Sequence, residues 1–524
     1  MNGCGNALSA RTAALRGREI VLADFMQQAT GRIRRGAGLA WLVLAAACLA
    51  LGGCSNAVRF PDAPLAVVGT LPGEHAYDAN FDGDADFFEY ENGEGRIDRI
   101  AYDRNGDAKA DFRVALDDLP LDRCRHLVIM LDGFGYDVVK RYYDAGGLRV
   151  FHAPSRVVVP YPAMTDIATA DLLGDFACRA SQAKYFDVPH NRVAGSATGY
   201  ITYENEAYAR LFTYRELKRW DGIAYFWAGP VFKKELSDLK KLFDKRRTRE
   251  IVATLVSSAA ISTQDGEAGQ MAALRRVDQL VNQIIWETHG LVKITLLADH
   301  GHSYTPPERL DVESFLKERG WRLAKKLNRP TDYYIERLGL ITVACLWTQS
   351  PAALAQDLIR CGGVSLASYA DGDAAMVLSP DGGRAAIRKR GEAYSYEAAA
   401  VDPLLLKPIL EQLTANDGYY GGDALLAATA THVFPDPLHR LWRAHFGQVE
   451  NPPSVIISLD DRYCIGWSFF ARLVRIASTH GSLNYRNSVT FIMSTAGPLP
   501  PVMRSRDVPR HLSTLLGEPW PTGR

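Results

Sequence analysis

Apolar residues along this chain come in two spacings. Unbroken runs rich in Val, Ile and Leu sit at 127–131, 155–160, 293–298, 454–459 and 488–494. Short runs without alternation predict strands covered on both faces. Between them, helical periodicity predicts helices over 136–145, 167–174, 234–245, 268–287, 311–319 and 404–414. Strands alternating with helices predict an α/β domain with a mostly parallel central sheet flanked by helices, filling 121–524. The stretch from about 304 to 450 has strand-like and helical pieces of its own and lies between two chemistry-bearing segments, which predicts an inserted cap.

Before residue 121 the pattern changes. Residues 74–116 are acidic and repeat themselves: Tyr77-Asp78-Ala79-Asn80-Phe81-Asp82-Gly83-Asp84-Ala85-Asp86 returns as Tyr102-Asp103-Arg104-Asn105-Gly106-Asp107-Ala108-Lys109-Ala110-Asp111. The first copy has calcium-loop spacing, with Asp78, Asn80, Asp82, Gly83, Asp86 and Glu89 at loop positions 1, 3, 5, 6, 9 and 12. Hard oxygen donors at alternate positions can wrap Ca²⁺, and the glycine permits the turn. The second copy offers Asp103, Asn105, Asp107 and Asp111, without the glycine at position 6, and with Val114 at position 12. The flanks do not look helical. The region resembles the Asp/Asn-rich calcium repeats of extracellular bacterial proteins, which implies bound Ca²⁺ and a stiffened stem.

Further upstream, Arg32, Arg34 and Arg35 precede an apolar run from Ala37 to Leu51, then Gly52-Gly53-Cys54. A basic stretch, a short apolar stretch and small residues form a secretory signal over 1–53, with Met26 as an alternative start. The apolar run is short for a membrane span. Leu51-Gly52-Gly53-Cys54 resembles a bacterial lipobox. The resemblance implies lipidation of Cys54, a tether over 54–73 and a membrane-anchored protein, with Ser55 favouring the outer membrane facing the periplasm.

The formal net charge of the 524 residues is zero, so no nucleic-acid footprint is expected. Cys124, Cys178, Cys345, Cys361 and Cys464 remain beyond the lipobox, an odd and scattered set without a CxxC pair. That argues against a disulfide framework, leaving room for one or two bridges in an oxidising compartment, and against a thiolate zinc site.

The candidate chemistry lies where strands end. Asp132 closes one apolar run and is followed by Gly133. Asp299 and His300 close another, with Gly301 and His302 after them. A third run passes through Pro160 and Pro162 to Thr165, where a helix is expected to begin. A hydroxyl there meets free backbone N–H groups and the positive end of the helix dipole. His480, in Ser478-Thr479-His480-Gly481-Ser482, lies ahead of the last run. Carboxylates and imidazoles at the carboxyl edge of an α/β sheet suggest a metal site for zinc or a similar ion.

The order and contexts of these motifs resemble the alkaline phosphatase superfamily, in particular its type I phosphodiesterase/nucleotide pyrophosphatase branch, over roughly 121–310 and 450–520. The tail from Asp507 to Pro521 resembles that superfamily's closing helix. The resemblance implies an alkaline-phosphatase-like fold, two divalent metals (zinc, with manganese as the alternative) and hydrolysis of a phosphate ester, diester ahead of monoester. Thr165 would be the nucleophile. Asp132, Thr165, Asp299 and His300 would hold one metal. The second would take an Asp, a His four residues later and the late His, which map to Asp265, position 269 and His480. Position 269 is Gly269, a departure from the pattern. His302, Glu267 and Gln270 are the candidate stand-ins. A phosphorylated small molecule or envelope component is the expected substrate. The alternatives are an envelope phosphotransferase and a metal-depleted protein that binds phosphorylated glycans or lipid headgroups.

Overall fold

The computed structural model describes residues 57–65, 73–174, 176–196, 207–216, 223–337, 339–466 and 474–522. The expected signal peptide, Cys54 and half of the tether lie outside the described residues. Among the described residues no helix is long and apolar enough to cross a membrane.

The acidic repeats fold as a four-stranded antiparallel meander, β1 (Glu74–Tyr77), β2 (Phe87–Glu91), β3 (Ile97–Tyr102) and β4 (Phe112–Ala115). Each repeat is the loop between two neighbouring strands. Its first aspartate closes the turn: Asp78 accepts from the amides of Asp82 and Gly83, and Asp103 from those of Asn105, Gly106 and Ala108. Among the described residues, the acids of neither repeat gather three donors around a common point. Glu89, expected at loop position 12, stands elsewhere. It lies in β2, is 4% exposed, takes a hydrogen bond from Tyr77 and faces Asp278. Strand alternation turns it inward, away from the exposed loop acids.

The expected α/β architecture is present. One seven-stranded sheet contains β5 (Arg125–Leu131), β6 (Ser155–Val158), β7 (Tyr214–Arg215), β8 (Glu250–Leu255), β9 (Val292–Ala298), β12 (Val489–Ser494) and β13 (Val502–Arg504). Its order is β13-β6-β12-β9-β5-β8-β7. All neighbours are parallel except β12, which is antiparallel to both β6 and β9. Helices α1 (Tyr136–Asp144), α2 (Thr165–Gly174), α3 (Ala228–Lys245), α4 (Ser257–Thr288) and α6 (Val508–Leu516) belong with it.

A second sheet of ten strands spans residues 322 to 459, antiparallel except for its first pair. It includes β10 (Val343–Thr348) and β11 (Val455–Leu459), which pair with each other. The apolar run at 454–459, expected beside the site-bearing strands, therefore belongs here. Periodicity marks a buried strand but cannot say which sheet owns it. The expected helix over 404–414 shrinks to one turn, Lys407–Leu410. Asp402 accepts from the amides of Leu404 and Lys407 and offers that segment a local turn instead. Helix α5 (Pro437–His445) packs between the sheets, and its buried Arg440 donates to the carbonyls of Val159, Pro160 and Leu483. Among the described residues the five cysteines are buried and no disulfide joins them.

Candidate metal centre and nucleophile

Register alone brings the two aspartates together. β9 and β5 run parallel with Ala298 beside Leu131. The next residue on each strand, Asp299 and Asp132, therefore emerges side by side at the carboxyl edge. β6 ends at the same edge, and the turn bearing Thr165 follows it into α2. Because β12 runs the other way, its entry lies there too, carrying the Ser478–Ser482 loop that precedes it. Four segments distant in sequence thus meet at one edge.

Donor atoms of Asp132, Asp299 and His300 lie within 4.8 Å of one another, and so do those of His300, His302 and His480. His300 Nε2 is 3.7 Å from Asp132 Oδ1 and 3.5 Å from Asp299 Oδ2. Thr165 Oγ1 is 3.2 Å from the same nitrogen. The rings of His300 and His480 stack with centroids 3.9 Å apart. Asp132, Asp299, His300 and His302 are buried, whereas Thr165 and His480 are half-buried.

Each imidazole has its Nδ1 engaged and its Nε2 turned inward. His300 Nδ1 donates to the Gly301 carbonyl at 3.1 Å, and His480 Nδ1 to the Ala163 carbonyl at 2.9 Å. His302 Nδ1 meets Ser478 Oγ at 2.8 Å, and that hydroxyl donates onward to the Ser262 carbonyl. Such outer partners select the tautomer that presents Nε2 as a ligand. Burial pushes His300 down to about 4 and His480 to about 3, and His302 well below its ordinary value. All three are neutral at physiological pH, the form that binds metal. Burial raises the Asp299 carboxyl to about 6, opposed by the amides of Gly133 and His300 and the Thr165 hydroxyl.

Among the described residues, two buried atoms of this cluster lack a hydrogen-bond partner, Asp299 Oδ2 and His302 Nε2. Orphaned acceptors in a buried site call for a cation. Carboxylate oxygens and imidazole nitrogens are the donor set that zinc or manganese takes. The residues therefore fit a divalent metal.

The expected second-site ligands are only partly assembled. His480 and His302 are in place. Asp265 is exposed and stands in neither donor group. Its helix breaks beside it: Gly266 has φ 56° and ψ −140°, outside helical values. At Gly269 a Cβ would come within 2.6 Å of Asp265 Cβ and 2.8 Å of Ile261 Cγ2, so the position has no room for an imidazole. Glu267 pairs with Arg141 at 2.5 Å. Gln270 donates to the Gly133 carbonyl and accepts from Tyr304. Of the stand-ins, only His302 joins the cluster.

Sequence reasoning missed the supporting residues. Ser262 and Tyr304 carry no motif, and Gln270, expected as a stand-in ligand, instead braces the Gly133 carbonyl. Gly133 does carry a signal, as a glycine directly after a strand-ending aspartate. Its φ is 78°, and a Cβ there would lie 2.6 Å from His302 Nε2. It clears the path by which His302 reaches the site.

No known family pattern matches the chain, and no curated protein does. Among solved structures, the murine ectonucleotide pyrophosphatase/phosphodiesterase 5 is similar with 12% identity and a TM-score of 0.41, over 75% of this chain and 95% of that one. An inactive form of the murine protein in complex with AMP gives 12% identity and a TM-score of 0.40 over the same shares. The human protein gives 11% and 0.41, again over 75% and 95%.

Proposed function

We propose that this protein is a metal-dependent phosphoric-ester hydrolase with Thr165 as nucleophile. The observation that supports it is the Thr165 hydroxyl at the first turn of α2, 3.2 Å from His300 Nε2 and against the Asp299 carboxylate. Asp132, Thr165, Asp299 and His300 would hold one divalent metal, and His302 with His480 a second. Bound there, such ions activate a hydroxyl and neutralise phosphoryl and leaving-group oxygens.

The chain's own contribution is orientation and polarity. The first turn of α2 presents free amides and the positive end of its dipole to the phosphoryl oxygens. With His300 Nε2 committed to the ion, the acceptor at hand for the Thr165 proton is the Asp299 carboxylate. Attack of Oγ1 on phosphorus makes a phosphothreonine and releases the first alcohol. Water then cleaves the P–O bond to Thr165 and frees phosphate, or a phosphomonoester from a diester. Preference for a diester rests on the motif resemblance. The Leu51–Cys54 stretch supports placing the enzyme at the cell envelope, lipid-anchored at Cys54, and the acidic repeats would serve as its Ca²⁺-bearing stem.

The test uses an aryl phosphodiester and an aryl phosphomonoester, with zinc or manganese added to the protein. Turnover should require metal and fall by about a thousandfold or more in Thr165→Ala. Absence of turnover on both esters, with less than one equivalent of bound metal, would overturn the hydrolase reading and favour a phosphate-ester binding protein.

A further inference from the structure

The two donor groups of the candidate metal centre share one residue. His300 belongs to both, with Asp132 and Asp299 in one and with His302 and His480 in the other. Its Nδ1 donates to the Gly301 carbonyl, so Nε2 alone keeps a lone pair for a metal. That nitrogen lies 3.5 Å from Asp299 Oδ2, 3.7 Å from Asp132 Oδ1 and 3.2 Å from Thr165 Oγ1. One lone pair serves one ion. An ion held by the carboxylates takes it, and the other group is left with two imidazoles.

The rings of that remaining pair, His302 and His480, have centroids 5.1 Å apart. His302 is 1% exposed, with Nδ1 tied to Ser478 Oγ and its buried Nε2 without a hydrogen-bond partner. His480 Nδ1 is tied to the Ala163 carbonyl. Each ring therefore offers one nitrogen. What the pair lacks is charge. Among the described residues no carboxylate belongs to the imidazole group. Asp265 is exposed and Glu267 is held by Arg141. At Gly269 a Cβ already crowds Asp265 and Ile261. The groups that back the two imidazoles are neutral: the Ser478 hydroxyl and the Ala163 carbonyl.

The two halves therefore differ in chemistry. Carboxylates and a hydroxyl suit an oxygen-seeking ion such as manganese, and zinc as well. They also offset the charge of a divalent ion in a buried place, which neutral imidazoles cannot do. Imidazole suits zinc, cobalt or copper and is a poor ligand for hard ions. We infer that the two ion sites are unequal in affinity and in choice of metal, an inference that rests on the hydrolase reading above. Asp132, Asp299, His300 and Thr165 hold one ion tightly, either zinc or manganese. His302 and His480 hold a second more weakly, and that site takes zinc but refuses manganese. The second ion comes and goes with the zinc supply while the first stays in place.

Equilibrium dialysis tests this. The full-length protein is stripped with a chelator, offered zinc or manganese alone, and its bound metal is counted. About 10 mM calcium in the buffer keeps the acidic repeats from taking up either ion. Manganese should saturate at one equivalent. Zinc should reach two, the second bound about tenfold more weakly or worse. His302→Ala should lose the second zinc equivalent and keep its manganese, and the retained manganese shows that the fold survives. Asp132→Asn should lose the manganese. A second equivalent of manganese, two zinc ions of equal affinity, or an unchanged zinc count in His302→Ala would overturn the inference and leave the hydrolase reading standing. Loss of both metals in His302→Ala and again in the milder His302→Gln would overturn it as well, by showing one shared site. If neither metal binds the unaltered protein, the hydrolase reading falls with it.

Discussion

At the scale of single residues, the proposed metal centre depends on groups that touch no ligand. Ser478 fixes the His302 tautomer and donates a hydrogen bond to the Ser262 carbonyl. In Ser478→Ala the ring loses that orientation. Zinc affinity, measured by competition with a chelator, is expected to fall about 10–100-fold while the fold survives. Gly133→Ala is a harsher change. It places a side chain at φ 78° and drives a Cβ to 2.6 Å from His302 Nε2. The expected outcome is a stability loss of about 1–3 kcal/mol, together with less bound zinc, read by denaturant melts and metal analysis. Asp265→Asn, by contrast, should leave zinc content nearly unchanged, because that carboxylate is exposed and outside both donor groups. A drop of a full metal equivalent in that variant would restore Asp265 as a ligand.

Elements hold the site by cross-bracing between the two sheets. β10 begins at the His480 loop, where Thr342 donates its amide to the His480 carbonyl at 2.8 Å and its Oγ1 accepts from the Ser482 amide at 2.9 Å. Ser458 of β11 accepts from the Leu483 amide at 3.1 Å. Arg440 of α5, 2% exposed, joins the end of β6 to Leu483 through backbone carbonyls. Arg440→Met would strand those carbonyls in a buried place. It is expected to cost about 3 kcal/mol or more and to lower turnover with stability, since both the Thr165 turn and the His480 loop lose their brace. Unchanged melting would show that water replaces the guanidinium there.

At the scale of the whole molecule, the small acidic sheet is docked on the α/β domain through a polar seam. Tyr102 donates to the Trp286 carbonyl at 3.0 Å across it, and on the α/β side Tyr142 donates to Asp278 at 3.0 Å. Glu89 and Asp278 face each other in that seam, with Tyr77, Tyr142 and Glu91 around them. Burial raises Glu89 from 4.5 to about 8, and Asp278 from 3.8 to about 6. A raised carboxyl binds its proton more tightly when folded. Its stabilising effect is complete below the unfolded value and is lost as pH rises through the folded one. Stability should therefore decline from about pH 5 to about pH 8, and Glu89→Gln should flatten that slope and raise melting at the alkaline end. A slope that persists in Glu89→Gln would place its origin elsewhere.

Much of this molecule is legible in the chain itself. An apolar run that ends on a carboxylate specifies both a buried strand and a charge at its edge, so local pattern alone places Asp132 and Asp299. Thr165 is readable because a hydroxyl after a proline-bearing turn opens a helix. Such signals are local: propensity and periodicity act over a few residues. Which strand lies beside which is decided by long-range packing, and that is why β11 went to the second sheet and Glu89 left its loop. The same holds for His302. Sequence offers it as one stand-in among three, and only the clearance at Gly133, the Ser478 hydroxyl and the crowding at Gly269 show which side chain reaches the site.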